Sequence, residues 1–301
     1  MTPKRAKARA PRSTPDAPAP MRPVRRPYAH AVAAARDFCA PFGMRDPHDV
    51  DLEALAMTRD AIVVPRNFAR GEGHLLRDRA SGRALIVVKE DVRGTPKERF
   101  VIAHELGHLL LHEDLDDLPR CTGDVAKLAP GARRAESEAS DAGCEITMPE
   151  AWFTRKMDEC ASRAPTLDEL RAMASYFRGS LTATALRALV FARTPSAFVV
   201  SKQGRVAWCA CSEGWDVYIH RRAPLHERTA AHAAGRGVDT PREGIAVDGK
   251  AWGDARGDVE LREWALHAAS EDVVLSWMTR TASNADVDVR ARDPLLREAH
   301  A

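Results

Sequence analysis

Apolar positions first fall into helical spacing in "PYAHAVAAARDFCAPFG", which stops at Gly43, and again in the short "DPHDVDLEALAMTRD", opened by Asp and Pro signals. Three brief runs follow, "AIVVP", "GHLLRD" and "RALIVVKED". They are β-branched or alternating and separated by Gly, Arg and Ser turns, so they predict a small antiparallel sheet. The sheet leads straight into "FVIAHELGHLLLHED", where apolar residues from Phe100 to Leu111 cover nearly every side. Such a helix is buried rather than packed on one face. Thr95, Pro96 and Glu98 before it fit an N-cap, a first-turn proline and a capping box.

Past a polar stretch from Glu113 to Pro130, "ARRAESEASDAGCEIT" predicts a further helix that ends at Met148-Pro149. In "APTLDELRAMASYFRGSLTATALRALVFAR", Thr166 and Glu169 make a second capping box, and Arg178-Gly179-Ser180 turn between two helices. From about Ser196 the pattern changes to strands, "AFVVSK", "RVAWCAC" and "WDVYIH". A Gly-rich loop, "GIAVDGKAW" and "DVVLSWMTR", read as a closing helix, complete this part. The expected divisions are 1–27, an arm; 28–160, a first domain; 161–195, the helix pair; 196–290, a C-terminal domain; and 291–301, a tail.

Composition changes this picture only at the start of the chain. A hydrophobic share of 45% is that of an ordinary globular protein, and formal net charge is +2. Residues 1–27, however, hold eight Lys or Arg against the single acid Asp16, with seven prolines, which predicts a disordered basic arm. Contact of this arm with nucleic acid or an acidic partner is the lesser reading, a solvated tail the greater. Neither a signal peptide nor a run of membrane-spanning length is visible, so a cytoplasmic location is expected. The six cysteines, including Cys209 and Cys211 on one face of a strand, are expected to be reduced, and Trp208, Trp215, Trp252, Trp264 and Trp277 to be core.

The chemistry lies in the apolar helix. His104 and His108 are four residues apart and leave one face about a turn apart, with Glu105 beside the first. In this H-E-x-x-H arrangement the imidazoles bind Zn²⁺, which makes hydroxide available near neutral pH, and the glutamate takes the water's proton. Two histidines and a carboxylate in an otherwise apolar helix need such a reason, because unpaired polar groups are costly there. His112 lies about 12 Å from His104 along a straight helix, too far to share the ion, and is expected at the helix end or behind a ligand. The third ligand then comes from another helix, where Glu136, Glu138 and Asp141 are available and Ser140, four residues past Glu136, can orient a group.

Arg99 to His112, "RFVIAHELGHLLLH", and Glu136 to Pro149, "ESEASDAGCEITMP", together resemble the two hallmark blocks of the ImmA/IrrE family of metallopeptidases. The resemblance covers roughly residues 30–195. It implies an α+β fold: a mainly helical zincin-like domain with a small antiparallel sheet, a helix-turn-helix-like pair, and a C-terminal α/β, GAF-like sensor domain. It places the metal ligands on His104, His108 and Glu136 and the catalytic glutamate on Glu105, with Glu138 behind them. Ser140 stands where the family has Asn or Asp, Ala142 in place of Phe, and Ile146-Thr147 in place of a Leu pair.

The implied function is a zinc-dependent regulatory endopeptidase that cleaves a lambda-Cro-type helix-turn-helix repressor, releasing stress-response or mobile-element genes. The strand "RALIVVKED" is a candidate edge for an extended substrate. Two other classes remain. A DNA-binding regulator would use Leu167 to Phe191, but its second helix carries only Arg187 as a base, poor equipment for phosphates. A non-catalytic zinc scaffold would have no use for Glu105.

Overall fold

The computed structural model describes residues 21–69, 71–78, 80–112, 130–161, 164–268 and 272–281. Most of the basic arm, the polar stretch 113–129, Cys121 and the tail lie outside these residues.

Helix α1 (Ala29–Cys39) ends through a 3₁₀ turn at Gly43, whose φ of 59° suits a glycine. Helix α2 (Leu52–Met57) is capped by Asp51, whose carboxylate accepts from Glu53 N and Ala54 N. Strands β1 (Ala61–Arg66), β2 (Gly73–Arg77) and β3 (Ala84–Lys89) form the sheet in the order β1-β3-β2. It is mixed rather than antiparallel, since β1 runs parallel to β3 and only β2 opposes it. The reason lies in β3, whose nearly continuous apolar run, ALIVVK, requires the central place where both edges are paired. The strand expected as a free edge is therefore internal, and β1 and β2 are the edges.

Helix α3 (Pro96–Leu111) has Pro96 in its first turn as expected, but its capping is different. Glu98 Oε2 accepts from Gly94 N at 2.7 Å, and Thr95 Oγ1 donates back to Val92 O at 2.6 Å, so no box closes on Thr95. Helix α4 (Pro130–Thr147) packs along α3 more extensively than any other pair of elements. The approach depends on two glycines. A Cβ at Gly107 would fall 2.5 Å from Ala139 O, and one at Gly143 would fall 2.9 Å from His104 N, so backbone meets backbone at both crossings.

Helices α5 (Glu150–Asp158), α6 (Leu167–Tyr176) and α7 (Leu181–Val190) follow. The Thr166/Glu169 capping box of α6 is present, with Glu169 N donating to Thr166 Oγ1 and Thr166 N to Glu169 Oε2. Arg187 is buried at 2% exposure and pairs with Glu145 of α4, Nη2 to Oε2 2.5 Å. The base that a DNA-reading α7 would need is thus spent inside the protein.

The C-terminal part is an antiparallel sheet of β4 (Ser196–Lys202), β5 (Arg205–Cys211), β7 (Ile245–Asp248), β9 (Glu260–Ala268) and β10 (Val273–Arg280), ordered β5-β4-β10-β9-β7. A two-stranded piece, β6 (Val217–Tyr218) with β8 (Asp254–Ala255), and the short helix α8 (Ala230–Ala234) complete it. The segment read as a closing helix is β10, the central strand. Its faces are both covered, Trp277 and Leu275 by α5–α7 and Val274 and Met278 by the α8 side, so the alternation that marks a one-sided strand is missing. Trp215, Trp252, Trp264 and Trp277 are core, while Trp208 is half-buried.

One core joins α5–α7 to this sheet. Phe153, Leu170, Phe177 and Leu189 pack with Phe198, Trp264 and Trp277, and the Trp277 indole donates to Pro165 O at 2.7 Å. Residues 21–27, expected as the end of the arm, are a second link. Val24 N donates to Cys211 O at 2.8 Å, while Arg25 pairs with Asp141 of α4 at 2.8 Å and donates to Ser137 O.

Candidate metal centre

The helical repeat puts His104 and His108 on the face of α3 that meets α4, and the close crossing brings Glu136 up to them. His104 Nε2 and His108 Nε2 are 3.1 Å apart. Glu136 Oε2 lies 3.3 Å from His104 Nε2, and Glu136 Oε1 lies 3.6 Å from His108 Nε2. A tetrahedral zinc ion with bonds of about 2.0–2.2 Å holds its ligand atoms roughly 3.3–3.6 Å apart. The two imidazole nitrogens and the two carboxylate oxygens that face them are thus spaced close to what one ion needs, and these residues make the only such His/Cys/Asp/Glu group found among the described residues.

Electrostatics put His108 and Glu136 in the protonation states a metal requires. Burial pushes His108 down from 6.5 to about 4, leaving a neutral ring. For Glu136, burial works upward but is outweighed by the hydrogen bonds from His104 and His108, which hold the carboxyl at about 2. A neutral imidazole and an ionised carboxylate are ready ligands.

The three acids offered by α4 have separate places. Glu136 meets the histidine pair; Glu138 accepts from His112 Nε2 at 3.1 Å; Asp141 accepts from Tyr28 N at 2.8 Å and pairs with Arg25. Ser140 Oγ is 3.2 Å from His104 Nδ1. His112 caps α3 and sets its Nδ1 3.0 Å from His108 Nδ1, behind the ring rather than in front of it.

Glu105 is 1% exposed and lies under the edge strand, since a Cβ at Gly73, the first residue of β2, would come 2.7 Å from its Oε1. The sequence reading did not single out Gly73, Gly107 or Gly143. The only local signal was a small residue at each place, which gains meaning only when the facing backbone is known.

An H-E-x-x-H helix crossed by a second helix that brings a carboxylate to the histidine pair is an arrangement suited to metallopeptidase chemistry. Residues 57–189 match the Peptidase_M78 family model, described as an IrrE N-terminal-like domain. A solved structure described as a Mycobacterium tuberculosis transcriptional regulator is similar in fold, with a TM-score of 0.51 at 14% identity over 84% of this chain and 88% of that one. No curated protein matches the chain.

Proposed function

We propose that the protein is a zinc-dependent regulatory endopeptidase of the cytoplasm that cleaves a helix-turn-helix repressor of the lambda-Cro type. His104, His108 and Glu136 hold the ion and Glu105 is the general base. The observation that carries this reading is the convergence of the two imidazole nitrogens, 3.1 Å apart, on the carboxylate of Glu136, whose oxygens lie 3.3 and 3.6 Å from them although it stands 28 to 32 positions away in sequence. When bound, zinc supplies Lewis acidity toward a peptide carbonyl and makes a nucleophile available at neutral pH.

The remaining work falls to the chain itself. Glu105, adjacent to His104 and shielded beneath β2, takes a proton from the attacking water on its carboxylate and passes it to the departing amide nitrogen. Substrate enters as an added strand on β2, the edge next to Glu105. Across the outer face Leu76, Leu85 and Ile62 stand in register and exposed, an apolar row beside the polar edge that suits a protein substrate. No helix among the described residues is long and apolar enough to cross a membrane. The C-terminal part, for which the family resemblance implies a GAF-like sensor, acts as regulator because every proposed catalytic group lies outside it.

The test is incubation with the repressor encoded nearest to the gene. A single cut that is lost with a chelator and in Glu105→Gln supports the reading, and cleavage at the wild-type rate by that variant refutes it. The base contributes about 10²–10⁴-fold.

A further inference from the structure

One edge of the C-terminal sheet carries a strip of bases that the peptidase chemistry does not use. Strand β5 is the outer strand there, and the chain after β6 returns along its first half. Arg222 N donates to Val206 O at 2.8 Å, Val206 N donates to Ala223 O at 2.9 Å, and Arg205 bridges Pro224 in antiparallel pairing. Pro224, with no N–H to offer, suits such an outermost position. This fold-back gathers Arg205, Arg221 and Arg222, and Lys202 stands opposite Arg205 across the Gln203-Gly204 turn. All four are exposed, and among the described residues none of them pairs with a carboxylate.

Two of these side chains are already held. Arg205 Nη1 donates to Arg222 O at 3.0 Å and Arg221 Nε to Ala207 O at 3.3 Å. Each contact uses a single donor of the guanidinium fork and leaves the rest available, so a ligand loses less entropy in ordering them. The neighbouring acids Asp254 and Asp216 are engaged by His220 and Arg280, at 2.8 and 3.3 Å, while Glu213 and Glu227 flank the strip beyond its two ends.

The basic arm is rooted at the same place. Met21 Sδ accepts from Ile219 N at 3.3 Å, two residues before Arg221, and the exposed Arg22 follows it. Residues 1–20, with Lys4, Arg5, Lys7, Arg9 and Arg12 against Asp16, are therefore joined to the fold beside the strip. Composition alone makes them a solvated tail, but at this root their charge adds to a surface of the same sign. Like charges gathered without counter-charges raise the potential and attract a polyanion.

We infer that the edge formed by Arg205, Arg221 and Arg222, continued by Lys202 and the basic arm, binds the phosphate backbone of a nucleic-acid duplex without reading its sequence. From Ile219 to Pro224 the strip runs roughly 17 Å at ~3.3 Å per residue, and a duplex presents one charge per about 1.7 Å of its axis. Arginine suits this partner because its fork matches two phosphate oxygens at once. A lipid surface would find no anchor, since Val238, outside the strip, is the only exposed large apolar side chain of this part of the protein among the described residues. The aromatics of the same stretch, Trp208, Trp215 and Tyr218, are buried or half-buried and give unstacked bases no platform, which favours a duplex over a single strand.

Fluorescence anisotropy of short labelled DNA and RNA duplexes, each in two unrelated sequences and titrated with the full chain at several salt concentrations, tests this. The wild type should bind the two sequences alike and release them as salt rises. Arg221→Gln combined with Arg222→Gln should weaken binding about 10–100-fold near 0.1 M salt and make the logarithmic salt slope shallower by about 2, with the melting temperature retained. Arg236→Gln combined with Arg256→Gln removes the same charge from exposed arginines of the same part of the protein outside the strip, and should leave affinity nearly unchanged. A preference for DNA or for RNA identifies the source of the phosphates, and either supports the inference. No binding by the wild type, equal losses in the two double variants, or uptake by phosphatidylserine vesicles but not by duplexes would overturn it. Binding should persist with a chelator present, because no proposed metal ligand lies in the strip, so loss of proteolysis alone would count against the zinc reading and not against this one.

Discussion

Gly107 of α3 faces the carbonyl of Ala139 in α4 so closely that a methyl group at 107 would lie 2.5 Å from that oxygen. The distance between these helices decides whether Glu136 reaches the histidine pair. In Gly107→Ala, better helix propensity adds up to about 1 kcal/mol, while overpacking costs about 1–3 kcal/mol. The expected outcome is a lower melting temperature together with weaker zinc binding, although no ligand has changed. Thermal unfolding and a zinc titration check this, and a stabilised variant of full affinity would contradict it.

The buried pair of Glu145 and Arg187 ties α4 to α7, each side chain being 2% exposed. Removing Arg187 leaves the buried Glu145 with the half-exposed Arg36, 2.8 Å from its Oε1, as counter-charge, so the cost is expected toward the lower end of the about 3–5 kcal/mol of a broken buried pair. Arg187→Met should therefore lower the urea midpoint strongly. If Arg187 served DNA instead, the same change would leave stability untouched and weaken DNA retention.

A chain ending at Arg193 keeps every proposed ligand and the base, yet it loses Phe198, Trp264 and Trp277, against which Phe153, Phe177 and Leu189 are packed. It should aggregate or unfold at a lower temperature than the full chain. A monomeric truncated chain with an unchanged melting point would show that α5–α7 form their own core.

Glu263 is fully buried on β9, where it accepts from Ala231 N at 2.8 Å and Trp252 Nε1 at 3.1 Å, and burial pushes its carboxyl up to about 7. Between its ordinary value of 4.5 and about 7 the folded state holds a proton that the unfolded state lacks. Stability from this group therefore falls as pH rises through that window, by up to about 1.4 kcal/mol per unit. His108 in the metal-free protein works the other way, since its folded value of about 4 lies below 6.5, so stability from it rises with pH between them. The difference between wild type and Glu263→Gln isolates the carboxyl. Urea unfolding at pH 5, 6.5 and 8 should show the variant at its greatest disadvantage at pH 5, and a difference independent of pH would contradict the assignment.

What the sequence disclosed depended on how local each cause is. The His104/His108 pair and the start of α3 could be read because a turn of helix sets their geometry. Glu136 could not be separated from Glu138 and Asp141 by spacing alone, and only the family resemblance chose it; the crossing at Gly107 and Gly143 shows why, since it lets Glu136 reach the pair. The sheet was read as antiparallel because the pairing of β1 with β3 is non-local. Burial on both faces disguised β10 as a helix. The change to strands at Ser196 was legible, but the core that α5–α7 share with the sheet was not, because Phe153 and Trp277 look equally apolar whichever partner they meet.

The central claim concerns who holds the metal. Elemental mass spectrometry of the purified wild type, Glu105→Gln and Glu136→Gln, each loaded with zinc and dialysed, tests it most directly. The account predicts about one zinc per chain for the first two proteins and far less for the third, because only Glu136 brings a carboxylate to His104 and His108. Full zinc in Glu136→Gln, or none in the wild type, would contradict it.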